Sequence, residues 1–180
     1  MNQVEHTKAT IALYRVNMLF VKLEEIFLGL AFFVLLGVMI IQVSCRYVFM
    51  YPTPWAEELC RYVFIWIGYI GGAYATFYWD HIEIDLVVSL IKKFSKNPER
   101  TKLIVDKIAV ALSVGFLIVF LKIYAEFFSQ VSAIGQQSAA MGINMMLPMF
   151  SAYIGSILMI FHGLSIMYLP KSIIKPACWK

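Results

Sequence analysis

Most side chains that could carry chemistry lie between Arg46 and Asp85, around one apolar run of membrane-spanning length. Histidine is the first candidate ligand, because two imidazoles at matched depth could hold a haem. Only His81 and His162 could form such a pair, and His81 lies in a charged cluster at a predicted helix end. A lone histidine inside a membrane helix is more often hydrogen-bonded to a neighbouring helix. We therefore expect His162 to make interhelical hydrogen bonds or to lie near the interface, rather than to relay protons or bind haem.

The three cysteines, Cys45, Cys60 and Cys178, form no CxxC motif and lack metal-ligand spacing. Cys45 and Cys60 lie near the predicted outer face, where they could be two unpaired thiols, the simpler interpretation, or a disulfide. A quinone-linked thiol oxidase would need reactive cysteine pairs at that face, and the second outer loop has none. Nucleophile elbows, phosphate-binding loops and metal motifs are also absent from the sequence. The sequence therefore predicts no catalytic activity, no cofactor and no metal site.

Hydrophobic residues make up 61% of the 180 positions and charged residues 14%. That balance is too apolar for a soluble domain, whose surface must face water. It predicts an all-α integral membrane protein with a single domain over residues 1–180. Four stretches are long and apolar enough to be transmembrane helices: about 26–46, 55–79, 103–128 and 145–169.

Twelve of the fifteen basic residues fall on one side of this four-helix arrangement. They precede the first helix, lie between the second and third, or follow the fourth, and the other three are Arg46, Arg61 and Lys122. By the positive-inside rule, the N and C termini and the middle loop are cytoplasmic. Because the charges are placed beside membrane helices in this way, the net charge of +4 does not indicate a nucleic-acid partner.

The segment before the first span, residues 9–23, mixes large apolar residues with scattered charges. That pattern predicts an interfacial N-terminal helix that leads into the membrane. Glu24 and Glu25 immediately precede the apolar run, and no small-x-small cleavage site follows it. We therefore expect the first helix to be retained rather than removed as a signal peptide.

A charged turn opens the second predicted helix. Thr53 suits the N-cap, and the proline after it suits the first helical position. Glu57 and Glu58 suit the positive end of the helix dipole, and Glu57 precedes Arg61 by four residues in the favourable orientation. Because Arg46 closes the preceding helix only a short link away, we expect an ion-pair network across the two helix ends.

The same helix carries small residues on one stripe and large aromatic rings on its other faces. Gly68 and Gly72 form a small-xxx-small pair, which lets another backbone approach closely in lipid. Aromatic side chains recur at roughly helical spacing, among them Trp55 and Trp66. A helix with both features is expected to contact protein on more than one side.

The order of motifs over about Ser44 to Leu86 resembles a known family. The segments RYVF, PxxWAEELCRYVFIWIGYIGGAYA and DHIEIDL follow one another here as in the small membrane subunit, the DctQ-like or Q subunit, of tripartite ATP-independent periplasmic (TRAP) transporters. The family pattern carries over to Arg46, Trp55, Glu57, Glu58, Arg61, Gly71, His81 and Asp85. The predicted structural motif or subunit interface also includes Trp66, Gly68, Gly72 and Asp80.

The resemblance implies a transporter of three parts in the bacterial inner membrane. A periplasmic substrate-binding protein delivers the substrate, a large membrane subunit moves it, and the small subunit is a multi-pass scaffold beside the large one. Transport would be coupled to a sodium gradient, and the substrates would be organic acids such as C4-dicarboxylates or sialic acids. The sodium and substrate sites would belong to the large subunit, so this chain would need no cofactor of its own.

A free-standing four-helix membrane redox or assembly protein is the alternative, because a charged loop flanked by aromatic residues could dock many partners. Neighbouring reading frames or a visible absorption spectrum would separate the two hypotheses. The sequence leaves the identity of the substrate and the stoichiometry of the complex open.

Overall fold

The computed structural model describes residues 8–78 and 98–168, which fold into four helices. In chain order these are α1 (Lys8–Tyr47), α2 (Pro54–Tyr78), α3 (Pro98–Ile134) and α4 (Met146–Tyr168). The predicted number of helices is confirmed within these ranges, where the only β pairing is an isolated bridge. The bounds of α2 and α4 differ from the predicted 55–79 and 145–169 by one residue at each end.

α1 begins well before the predicted first span of 26–46. Its 40 residues measure about 60 Å at 1.5 Å per residue, roughly twice the thickness of a hydrocarbon core. Residues 9–23 are helical, as predicted; their position at the membrane interface stays a prediction, and they continue into the span without a break. The reason is that no proline or glycine occurs between Lys8 and Leu28 to end the helix.

α3 is also longer than the predicted span of 103–128. Pro98 stands at its first position, where the missing backbone N–H leaves no hydrogen bond unmade. The helix ends before Gly135, whose φ of 64° is the left-handed conformation that commonly terminates a helix. These local signals lie outside the apolar run, so hydropathy alone underestimated the helix.

α2 and α4 form the centre of the fold. α2 packs against both α4 and α1, α3 packs mainly against α4, and α1 and α4 approach each other at only a few positions. In the most apolar part of α4, 39% of the residues are buried, against 11% in α3 and 0% in α1. α1 and α3 therefore expose most of their apolar surface.

Three of the described helices are long and apolar enough to cross a membrane: α1 over 10–47, α3 over 107–134 and α4 over 146–168. α2 is not among these three; its first two turns carry charges, and its remaining turns contain several tyrosines and glycines. The crossing of α2, the predicted fourth span, stays a prediction.

The orientation that the charge bias predicts for the helices can be tested by labelling. In a variant whose native cysteines are replaced by serine, Ala139→Cys places a thiol at an exposed position of the loop between α3 and α4. An impermeant maleimide should label this thiol in intact cells, because the loop faces outward in the predicted topology. Ser95→Cys, in the predicted cytoplasmic loop and outside the described residues, should react only after permeabilisation. The opposite pattern would overturn the topology with both termini inside.

Candidate assembly site

Glu58 attaches the loop between α3 and α4 to the opening turn of α2. Its Oε2 atom accepts hydrogen bonds from Ser138 Oγ at 2.6 Å and from the backbone N–H groups of Ala140 and Met141 at 3.1 and 3.0 Å. Its Oε1 atom accepts a hydrogen bond from the Tyr62 hydroxyl at 2.8 Å. Hydrogen bonds to an ionised carboxylate are stronger than those between neutral groups. The convergence of these donors on one side chain therefore fixes the loop on α2.

The loop is shaped so that it can present these donors. Its two ends are joined by the bridge between Gln137 and Asn144, and the N–H of Ser138 donates to the carbonyl of Ile143 at 2.8 Å. Gly142 has a φ of 66°, which allows the chain to reverse direction within a few residues. The loop is thus a small closed turn rather than an irregular connection.

The charge of Glu58 is part of this attachment. Glu58 precedes the uncharged section of α2, residues 62–78, and so lies outside the apolar part of the helix. The hydrogen bond from Ser138 outweighs the opposing effect of partial burial and, with the bond from Tyr62, lowers the pKa of Glu58 below its usual value. The hydrogen bonds to the loop are therefore made to an ionised carboxylate at neutral pH.

The predicted ion-pair network forms only in part. Glu57 and Arg61 lie 3.9 Å apart, but their side chains are 66% and 67% exposed, and such a pair contributes about 0–1 kcal/mol. Arg46 is exposed and makes no ion pair within the part of the chain that the structure describes. The part of the predicted network that would join the ends of α1 and α2 does not form among the described residues, and Glu58 binds donors of the outer loop instead.

A close helix contact lies farther along α2, between Tyr69 and Gly155 of α4. A Cβ atom on Gly155 would stand 2.7 Å from the Cβ and 2.8 Å from the carbonyl oxygen of Tyr69, so the two backbones nearly touch. Gly72 faces the terminal methyl of Met159, whereas Gly68 is exposed and faces nothing within 4 Å. The predicted Gly68/Gly72 stripe is thus divided, because among the described residues Gly72 packs against α4 and Gly68 meets no neighbour.

Two glycines of α4 that make close contacts with neighbouring helices were not predicted from the sequence. Besides Gly155, a Cβ atom on Gly163 would lie 2.9 Å from a methyl group of Val114 on α3. Ser151 and Gly155 stand four residues apart and are both buried. The small-xxx-small test that identified α2 would have identified α4 as well if applied there.

α2 contacts protein on two sides, as its residue pattern predicted. The ring of Trp66 packs on that of Phe27 in α1, with centroids 5.8 Å apart. Gly71 also faces α1, because an added Cβ would lie 3.8 Å from the side chain of Leu28. Trp55, at the start of the helix, is 42% exposed. The side of α2 that carries Trp66 and Gly71 therefore meets α1, while Tyr69 and Gly72 meet α4.

Three polar side chains, Asn17, Glu24 and His162, meet between α1 and α4 and are called the His162 cluster here. His162 is fully buried, its Nδ1 atom is hydrogen-bonded to Asn17 Oδ1, and its Nε2 atom lies 3.0 Å from Glu24 Oε1. The expectation that His162 makes interhelical hydrogen bonds is confirmed. Its partners were missed, although their spacing of seven residues places both on one face of α1.

The remaining predicted positions add no further group to this site. Among the described residues, no set of three or more histidine, cysteine or acidic side chains could hold a metal ion. Cys45 and Cys60 are free thiols, and Cys60 is buried in α2. Asp80, His81 and Asp85 lie outside the described residues.

The glycines of the α2 and α4 contact should differ in their sensitivity to substitution. Gly155→Ala should destabilise the chain by about 1–3 kcal/mol, because the new methyl group meets the backbone of Tyr69. Gly72→Ala should cost less, since the end of the Met159 side chain can move, and Gly68→Ala should be neutral or stabilising through helix propensity. Thermal unfolding in detergent measures this order. Equal effects at Gly155 and Gly68 would contradict the close contact.

Glu58→Gln should loosen the outer loop, whereas Glu57→Gln, at the exposed neighbouring position, should not. The expected result is faster hydrogen exchange at the amides of Ala140 and Met141 in the first variant alone, after correction for intrinsic exchange rates. A carboxylate with a lowered pKa stabilises the folded form above its unfolded pKa and loses that effect as pH falls through the folded value. Wild-type protein should therefore lose the same protection in acid. Unchanged protection in Glu58→Gln would refute this attachment.

Comparison with known proteins assigns the chain to a family. Residues 35–169 match the family model described as tripartite ATP-independent periplasmic transporters, DctQ component. A segment of 80 residues is 35% identical to a protein of Haemophilus influenzae (strain 86-028NP) named sialic acid TRAP transporter permease protein SiaT. That alignment covers 42% of this chain and 13% of the relative, so the chain spans a small part of the relative's length. Because the family match runs from within α1 to the end of α4, the chain belongs to the DctQ family of TRAP transporter components.

Proposed function

We propose that this chain is the small scaffold subunit of a sodium-coupled TRAP transporter in the bacterial inner membrane. The observation that carries the proposal is the family match over residues 35–169, which includes part or all of every described helix. A periplasmic binding protein would deliver an organic acid, and a large membrane subunit would hold the substrate and sodium sites. The segment shared with a sialic acid transporter favours a sialic acid over a C4-dicarboxylate as that substrate.

The exposed apolar surfaces of α1 and α3 support the scaffold role. Large side chains along both helices are more than half exposed, including Leu30, Phe33, Ile40, Leu112 and Phe116. In a membrane such a surface can bind another protein by close fit, because lipid tails are as apolar as the side chains themselves. The large subunit would cover part of this surface, and lipid would cover the rest.

The loop held by Glu58 supports a second contact, with the periplasmic binding protein. In the predicted topology this loop faces outward, and its exposed residues include Gln136, Gln137 and Ala139. Several hydrogen bonds fix its backbone before any partner arrives. A preorganised loop loses less conformational entropy when it binds, which favours it as part of the docking surface.

Coexpression with the large membrane subunit and the periplasmic binding protein of the same transporter tests the proposal. The two membrane subunits should copurify through a tag on either one. Liposomes that contain both should take up labelled sialic acid only with the binding protein and an inward sodium gradient, and C4-dicarboxylate uptake is the parallel measurement. Uptake by the large subunit alone would refute an essential scaffold role. A haem or flavin absorption spectrum of the purified chain would favour the redox alternative.

A substitution at Gly68 makes the same experiment more specific, because this glycine has no neighbour within 4 Å in the described part of the chain. Gly68→Leu should leave the isolated subunit folded and should reduce copurification if that face meets the large subunit. Gly68→Ala, which adds a single methyl group at the same position and is expected to be neutral or stabilising, is the matched control. Full copurification of Gly68→Leu would place the subunit contact elsewhere on the surface.

A further inference from the structure

The His162 cluster joins the N-terminal part of α1 to α4 through both nitrogen atoms of one ring. Asn17 and His162 are fully buried, and Glu24 is 5% exposed. Asn17 and Glu24 are seven residues apart, about two helical turns, so both reach the ring from the same face of α1. Glu24 Oε2 and Asn17 Nδ2 are buried without hydrogen-bond partners among the described residues.

Apolar groups enclose the ring on its other sides. The ring centroids of Phe77 on α2 and Phe161 on α4 lie 5.6 and 5.7 Å from that of His162. Among the described side chains, the hydrogen bonds of His162 join it to Asn17 and Glu24, and on α1 the adjacent Glu25 is exposed. Glu24 is therefore the ionisable group that pairs with His162 in this cluster.

These contacts constrain the number of protons in the cluster. When Asn17 accepts through Oδ1, the Nδ1 atom of His162 carries a proton, and a further proton must lie between Nε2 and Glu24 Oε1 to make the second hydrogen bond. The pair of His162 and Glu24 is then neutral overall, as imidazolium with carboxylate or as imidazole with carboxylic acid. The arrangement in which Asn17 donates instead holds one proton fewer and buries an unneutralised carboxylate, which is costly in an apolar environment.

We propose that the His162 cluster is a proton-binding site, and that its bound proton latches the N-terminal section of α1 onto α4. The proton is taken from and returned to water, and it moves only between water and the Nε2 or Oε1 atom. His162 lies six residues before the end of α4, about 9 Å along the helix, so the site is near one end of the bundle. Raising the pH removes the proton and leaves a buried carboxylate without a neutralising charge, so the latch is closed at lower pH and opens as pH rises.

Substitutions at Glu24 distinguish a proton-binding cluster from one that is held together by packing alone. Glu24→Gln imitates the protonated carboxyl group, because its amide can donate to Nε2 while the ring stays neutral. The thermal midpoint of the full wild-type chain in lipid nanodiscs should therefore fall as the pH is raised. The fall should be about 2–4 °C or more relative to Glu24→Gln. Glu24→Ala should be less stable than Glu24→Gln at every pH. Glu25→Gln, at the exposed neighbouring position, should follow the wild-type profile. Parallel profiles for wild type and Glu24→Gln would overturn the proposal, as would a Glu24→Gln variant as unstable as Glu24→Ala.

A measurement on the wild-type protein keeps the proposal testable if these variants do not fold. Solid-state NMR on protein with ¹⁵N-histidine and ¹³C-glutamate can select the ring that lies against a glutamate carboxyl group, as His162 does. At neutral pH the selected pair should show either a doubly protonated ring or a protonated carboxyl group. A neutral ring beside an ionised carboxylate would overturn the proposal.

Discussion

Close contact between α2 and α4 is the constraint on which the rest of the structure depends. At Gly155 the backbone of α4 meets the carbonyl group of Tyr69 with no side chain between them. In lipid, apolar side chains gain little by leaving their surroundings, so helices associate where small residues allow dense van der Waals contact. The other two helices are placed around this pair, α1 against α2 and α3 against α4. Their outer faces are left open, which fits the proposed role as a scaffold beside a large membrane subunit.

Polar contacts determine which segments of the chain pack against α2 and α4 at the two ends of this helix pair. At one end Glu58 binds a loop that follows α3, and at the other His162 binds the early part of α1. Ionisable groups near or inside a membrane are costly unless they are paired, and both of these find their partners on a different segment of the chain. Such contacts contribute specificity, because a shifted helix would leave a carboxylate or an imidazole unpaired. Apolar contact brings the helices together, and these polar groups select one arrangement of them.

The helices could be predicted from the sequence because their signals are local. Membrane-length apolar runs identify four segments, and the prolines around Thr53 locate the start of α2. Family membership also followed from the sequence, because an ordered set of short motifs can be recognised without knowing how the helices pack. The prediction underestimated the length of α1 for a related reason. Apolar length measures how much chain crosses the hydrocarbon, and it carries no information about a polar helix that continues beyond.

Only the tertiary structure decided which side chains meet. Glu57 and Glu58 are neighbours of identical type, but they point about 100° apart around α2, one towards water and the other to a loop 80 residues away in the sequence. His162 finds Glu24 at a separation of 138 residues, through a part of α1 whose composition resembled a surface helix. The physical reason is that contacts between helices depend on their relative rotation and tilt. Those are set by packing between whole helices, whereas the helices themselves follow from hydropathy and capping along each segment.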